Sequence, residues 1–423
     1  MASVGLINRV KYSRAFYSVY YFVGTLVIKL LKALLKPDSR LILFTSYSGK
    51  KYDDSPKDVY EAMLKDRRFE AYRMVWAFRQ PERFKIERGT TVKTDTLQYY
   101  KTLIKARAWV SNNSVTRGLS FRGLNTFSIN SWHGTPIKLI GRDVLNRNGG
   151  TFIVKGKEKT VDIQLAQGEY EKRIYARAFG LREDQVVITG LPRNDSLVYD
   201  NNPEKIVALK NSFGFAQDKR VILYAPTYRD YEKDEGRNCV LKPPFDLEKW
   251  RRQLGNDYIL LIRAHQEVVK VLDLQEDSFV RNASNLPILN DLLLATDILI
   301  SDYSGILFDY SILGRPIYCY TYDYEKYKKA RGMYFDIRME LPSTDNEDEL
   351  INMIKTYNHI DMEAKVKKFR KKYVKQYGNA SQKALDVIFN AIGTTNGSQM
   401  GGGKCDLAKT VSLFRSGDYR LTA

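Results

Sequence analysis

Three short segments of this chain carry residue types suited to a phosphorylated ligand. Ser131-Trp132-His133-Gly134-Thr135-Pro136-Ile137-Lys138 sets a histidine before a Gly-Thr-Pro turn. Neutral imidazole accepts a proton near pH 7, and a positioned general base contributes roughly 10²–10⁴-fold to a rate. Gly134 permits close backbone approach to a phosphate, and Lys138 supplies charge. A structural turn with a capped histidine accounts for the same segment taken alone. Arg263-Ala264-His265 places two cationic donors at i and i+2, on one side of an extended chain. That suits a diphosphate better than a core, unless Arg263 is paired with a carboxylate. Ser301-Asp302-Tyr303-Ser304-Gly305 runs into the apolar Ile306-Leu307-Phe308-Asp309-Tyr310, a small polar turn entering a helix. Unpaired N–H groups and the positive dipole end favour an anion there, with Ser304 either capping the helix or donating to an oxyanion. Tyr224-Ala225-Pro226-Thr227-Tyr228-Arg229 and Gly190-Leu191-Pro192-Arg193-Asn194-Asp195 are weaker, and each alone reads as a surface turn.

All five segments follow apolar, β-rich runs. Arg40–Ser46, Tyr72–Phe78, Ala108–Ser111, Thr126–Asn130, Ile163–Gln167 and Val186–Thr189 read as one series of buried strands, with helical stretches such as Ser55–Leu64 and Thr96–Lys105 between them. Arg220–Tyr224, Tyr258–Arg263, Leu286–Leu289, Asp297–Ser301 and Pro316–Tyr320 form a second series after a hinge at Asn201-Asn202-Pro203. Strands with little alternation separated by helices predict parallel sheets, and two such halves imply a cleft with ligands outside the strands' carboxyl ends. The expected domains are 1–37, 38–200, 201–392 and a Gly-rich flexible tail at 393–423.

The 423 residues are 43% hydrophobic and 28% charged, a globular balance. Lys and Arg number 68 against 49 Asp and Glu, a formal charge of +19 that favours polyanionic partners. Cys239, Cys319 and Cys405 give neither a disulfide framework nor a zinc spacing, so no metal is expected. Without a Walker loop or an RNA-binding aromatic motif, nucleic acid is not expected either, and Lys365–Lys375 reads as a solvated helix face. The segment after Arg14 is apolar with no cleavage site. As a helix it carries Phe16, Val19, Tyr20, Val23, Val27, Leu30, Leu31 and Leu34 on one side. Arg14, Ser18, Thr25, Lys29, Lys32 and Lys36 gather opposite, and the first acid of the chain is Asp38. That pattern predicts an amphipathic helix lying on an anionic leaflet; a core-facing helix or a spanning anchor is the alternative.

In order and spacing, WHGTPIK, GLPRND, YAPTYRD, RAH and SDYSGILFDYSILGRPIYCY resemble the CDP-glycerol glycerophosphotransferases of teichoic acid synthesis, over about Leu41 to Asn390. The resemblance implies an α/β fold of the GT-B type, two Rossmann-like domains, with peripheral association at the cytoplasmic face of a bacterial membrane. It implies His133 as the base and donor contacts from Gly134, Thr135, Pro136, Arg193, Pro226, Thr227, Arg263, His265, Ser304, Gly305 and Asp309, with no cofactor. Relatives often carry a second serine where this chain has Gly305, which would remove one hydroxyl donor to the phosphate.

The implied partners are CDP-glycerol, held mainly by the C-terminal domain, and an undecaprenyl-diphosphate-linked disaccharide or oligomer entering from the membrane side. The reaction would be a direct displacement: His133 takes the proton of an acceptor hydroxyl, which attacks the phosphorus bearing glycerol, and CMP departs. The chain's length leans toward a primase or few-unit transferase. CDP-ribitol as donor, or a nucleotide-sugar glycosyltransferase of the same fold, is the competing reading.

Overall fold

A strand without polar alternation must be covered on both faces, and this chain satisfies that requirement twice. The computed structural model describes residues 14–144, 161–229, 239–264, 268–271, 274–286, 288–356 and 358–393. His265 and residues 394–423 of the expected tail lie outside the described residues. Residues 14–133, 141–144, 161–193 and 379–393 belong to one compact unit, and 134–140 with the described part of 194–378 to a second.

The first unit comprises α1 (Arg14–Leu34), β1 (Asp38–Thr45), α2 (Asp54–Lys65), β2 (Arg73–Phe78), β3 (Thr90–Lys93), α3 (Leu97–Lys105), β4 (Ala106–Ser111), β5 (Phe127–Asn130), β6 (Ile163–Ala166), α4 (Glu169–Phe179) and β7 (Val186–Ile188). Its strands form one parallel sheet in the order β3-β2-β1-β4-β5-β6-β7. Helix starts follow local capping: Asp53 accepts from the Asp54 N–H, and Thr96 from that of Tyr99. Edge strand β3 escaped the sequence reading because only Val92 of its four residues is buried.

The second unit comprises α5 (Ser196–Tyr199), α6 (Pro203–Ser212), β8 (Arg220–Tyr224), β9 (Cys239–Leu241), α7 (Leu247–Leu254), β10 (Tyr258–Ile262), β11 (Val268–Val271), β12 (Val280–Asn282), α8 (Leu289–Ala295), β13 (Ile298–Ser301), α9 (Ile306–Ser311), β14 (Ile317–Tyr320), α10 (Tyr324–Arg331), β15 (Ser343–Thr344), α11 (Glu347–Thr356) and α12 (His359–Tyr373). The main sheet runs β12-β10-β8-β13-β14-β15, again parallel. Counted within its own series, its order matches that of the first six strands of the first sheet. The order reverses between β1 and β4 in one sheet and between β8 and β13 in the other. Such switch points are where doubly wound sheets bind ligands.

Three expectations change. The Leu286–Leu289 strand is absent: Leu289 opens α8, whose Leu292, Leu293 and Leu294 are buried. A four-residue apolar run does not separate strand from buried helix. Asn201-Asn202-Pro203 is a helix start, with Asn202 accepting from the Lys205 N–H and Pro203 in the first turn. The last helix, α13 (Ala380–Ile392), expected in the second domain, packs in the first unit's core through Ala384, Leu385 and Ile388. Arg68 pairs with its Asp386 at 2.8 Å.

Helix α1 also differs in detail. It docks on the first unit through Tyr17, Tyr20, Gly24, Thr25, Ile28, Leu31 and Lys32. Tyr20 and Leu31, expected in the outward stripe, pack on the body, while Phe22 and Leu26 join Phe16, Val19, Val23, Val27, Leu30 and Leu34 outside. At about 100° per residue these eight side chains cover a continuous face of roughly 140°. Its segment Ala15–Leu34 is long and apolar enough to cross a membrane.

Candidate active site

At the first unit's switch point, the chain leaves β1 through Tyr47 and Ser48 and leaves β4 through Asn112. The Tyr47 N–H donates to Asn112 Oδ1 at 2.8 Å, tying the two strand ends together, and Asn112 Nδ2 donates to Ser46 Oγ at 3.3 Å. His133 follows the neighbouring strand β5. Its Nδ1 lies 3.0 Å from the Asn112 carbonyl oxygen. A carbonyl only accepts, so Nδ1 carries a proton, and whenever the ring is neutral its lone pair is at Nε2. The Trp132 ring lies 4.1 Å from the imidazole, and Tyr47 flanks it at 6.0 Å.

Behind this lies a buried carboxylate. The Tyr47 hydroxyl donates to Asp54 Oδ2 at 2.6 Å, and Arg193 Nη1 sits 3.3 Å from Asp54 Oδ1. Burial alone would raise the Asp54 pKa. The Arg193 charge, the Tyr47 hydroxyl, the Ser55 N–H and the nearby His133 outweigh it, and the carboxyl is held below its usual range. Burial and Asp54 together push the Tyr47 phenol well up, so it remains a donor. Among the described residues, six non-glycines have positive φ, and four of them are Tyr47, Ser48, Asp54 and Trp132. Such conformations cost on the order of 1–3 kcal/mol each and concentrate where a site is held in place by its surroundings.

At the second unit's switch point the same link recurs with a charge. Asp302, directly after β13, accepts through Oδ1 from the N–H of Thr227, beyond β8, at 2.8 Å, and from the Tyr303 N–H at 2.5 Å. Its Oδ2 takes Arg229 Nη1 at 2.8 Å, and Asp323 takes the rest of the guanidinium at 2.8 and 2.9 Å. The rings of Tyr303, Tyr322 and Tyr327 surround the cation at 5.0–5.4 Å. Burial would lower the Arg229 pKa, yet the two carboxylates raise it, so the group stays charged. Thr227 Oγ1 is buried and has no hydrogen-bond partner among the described residues.

Gly305 meets the turn after His133. A Cβ on it would lie 3.0 Å from both N and O of Thr135 and 3.1 Å from Gly134 Cα. Glycine is therefore what lets these two motif loops touch, a packing role the sequence reading did not see. The turn is itself anchored, with Ile137 accepting from the Tyr334 N–H at 2.8 Å and Leu139 donating to Gly332 at 3.1 Å. Helix α9 has only six residues, so its dipole is shorter than expected, and Ser304 Oγ accepts from the Ile306 N–H at a long 3.4 Å.

Of the other expected residues, Pro226 sits beside Thr227. Arg263 donates to the carbonyls of Ala283 and Leu286, both at 3.0 Å. Asp309 is buried and accepts from Asn194 at 2.8 Å. Arg193 is buried against Asp54, its side chain 7% exposed. Tyr47, Asp54, Asn112 and Asp323 went unread, as did the part of Asp302 within its motif. The described residues hold no His, Cys, Asp and Glu group able to bind a metal.

Comparison with known proteins bears on this arrangement. The family described as CDP-glycerol:poly(glycerophosphate) glycerophosphotransferase matches residues 28–390. A teichoic acid glycerol-phosphate transferase of Staphylococcus aureus is 32% identical over 85% of this chain and 95% of that protein. A teichoic acid poly(glycerol phosphate) polymerase of Staphylococcus epidermidis is 35% identical over 72% of this chain, which spans only 43% of that longer protein. The solved wall teichoic acid polymerase TagF superposes with a TM-score of 0.77 at 31% identity, covering 89% of this chain and 97% of that one.

Proposed function

We propose that this chain, which belongs to the CDP-glycerol:poly(glycerophosphate) glycerophosphotransferase family, primes or briefly extends a teichoic acid on an undecaprenyl-diphosphate-linked acceptor, with His133 as its base. By its family the chain is a glycerophosphotransferase of teichoic acid synthesis, which supports CDP-glycerol as its donor.

In the reaction, Nε2 of His133 receives the acceptor hydroxyl proton as that oxygen bonds to the phosphorus carrying glycerol. The bond from that phosphorus to the CMP oxygen breaks, and CMP leaves with the electron pair. Thr227, Arg263, His265 and Ser304 are the proposed donor contacts, with Gly134–Pro136, Pro226 and Gly305 shaping the backbone. Arg193 and Asp309 act through others, holding Asp54 and Asn194. The observation that carries the assignment is the Nδ1 bond to Asn112, which fixes the tautomer a base requires. For location, the exposed apolar face of α1 supports contact with a membrane, and peripheral binding at its cytoplasmic face is the form proposed.

The test is incubation with a lipid-linked disaccharide and, separately, CDP-glycerol, CDP-ribitol or UDP-sugars, while nucleotide release and product mass are read. CMP release from CDP-glycerol with addition of one or a few glycerol phosphates supports the proposal. Long polymer from the same acceptor would overturn the few-unit part, and release only from a UDP-sugar would overturn the whole.

A further inference from the structure

Helix α1 has a second feature beside its apolar face. Between it and the loop of residues 120–124 runs a groove of about 420 Å³, the size of a small-ligand site. Lys29 and Lys32 stand on the helix wall and Arg122 on the loop wall, and the lining contains no acidic residue. Phe22 and Leu26 line it where it meets the outward apolar face, and Leu124 lines the loop side. At about 100° per residue, Lys29 falls between the docked side of α1 and that face, with Lys32 near the edge of the docked side. The groove thus grades from cations into exposed hydrocarbon, with Phe22 72% exposed.

Its walls are fixed. Lys32 Nζ donates to the Gly123 carbonyl at 2.6 Å, and Thr25 Oγ1 accepts from the Ser120 N–H at 3.4 Å. Tyr17 and Tyr20 donate to the carbonyls of Gly118 and Arg117 at 2.8 and 3.0 Å. Helix and loop approach so closely at Gly24 that a Cβ there would lie 2.6 Å from Leu119 Cδ2.

We infer that this groove binds the phosphate headgroup of an anionic bilayer phospholipid, with its acyl chain along Phe22 and Leu26. Three cations in a lining that has no acidic residue match a phosphodiester, and the adjoining apolar face matches the chain attached to it. The inference rests on the membrane-facing reading of α1 and adds a discrete site to it.

Flotation of the full chain with phosphatidylcholine vesicles, plain or doped with phosphatidylglycerol or undecaprenyl phosphate, tests it. Phosphatidylglycerol should strengthen binding saturably. The K29Q/K32Q/R122Q variant should lose at least about tenfold of that gain, since a headgroup-level cation contributes about 1 kcal/mol. The control K365Q/K367Q/K368Q removes the same charge from exposed positions of α12 and should lose less than about threefold. Equal losses in the two variants overturn the groove while leaving membrane binding intact. Binding of undecaprenyl phosphate vesicles alone also overturns it, since the occupant is then the acceptor lipid. Failure of the wild-type chain to float with any vesicle overturns the membrane reading itself. Circular dichroism of the groove variant separates a lost site from a lost fold.

Discussion

The two switch points solve one geometric problem with different chemistry. In each sheet, the residue directly after the fourth strand of the series accepts from a backbone N–H beyond the first, at 2.8 Å in both. In the first unit that residue is Asn112, neutral, with its own carbonyl holding His133. In the second it is Asp302, 1% exposed at its side chain, and its charge obliges the fold to bury Arg229 and Asp323 with it. An amide beside the imidazole ties the strands without adding a charge next to the proposed base, which would have to change protonation. A carboxylate in that position can carry an ion network that makes its loop rigid. The proposed base thus sits in the strained cluster, while the denser ion network holds the other.

The comparison breaks most visibly on truncation. Asp302→Ala leaves Arg229 buried with one partner fewer and should lower unfolding stability by about 3–5 kcal/mol. Asn112→Ala removes neutral hydrogen bonds and should cost about 1–3 kcal/mol. Denaturant titration of both checks the order, and equal losses would contradict the contrast.

Asp54 sharpens the same contrast through pH. Its folded pKa is lowered, so the stability it contributes is present above the unfolded value of about 3.9 and is lost as pH falls through the lowered one. Wild-type protein should therefore lose more stability than Asp54→Asn between about pH 5 and the acid transition. Parallel acid limbs would remove Asp54 from the account.

The smallest effect is expected at Gly305. Gly305→Ala brings a methyl to 3.0 Å from the Thr135 backbone, which must yield by a few tenths of an ångström. A loss of about 1 kcal/mol, with turnover reduced less than tenfold, is expected by thermal unfolding and CMP release. An unchanged melting temperature would show that the two loops are not in close contact.

The parallel sheets were legible because a strand buried on both faces is written in its own residues, and the motif loops because they follow such strands. The supporting shell was not. Asp54 pairs with Arg193, and Asp302 with Arg229, across long sequence gaps, and no local spacing encodes those meetings. Tyr47 and Trp132 adopt left-handed conformations that glycine would have advertised and bulky residues conceal. The face of α1 was half legible: periodicity located an apolar stripe, but which residues dock depended on the 117–124 loop.

The central claim, chemistry in the His133 cluster and donor binding in the second unit, is tested by one paired measurement. CMP release and CDP-glycerol affinity are determined for His133→Ala and for Arg263→Ala. The account predicts that His133→Ala loses about 10²–10⁴-fold in kcat with donor affinity nearly unchanged, because a base acts in the transition state. Arg263→Ala should weaken donor binding by about tenfold or more, as a charged donor to a diphosphate is lost. Near-normal turnover in His133→Ala, or unchanged calorimetric affinity in Arg263→Ala, would contradict it.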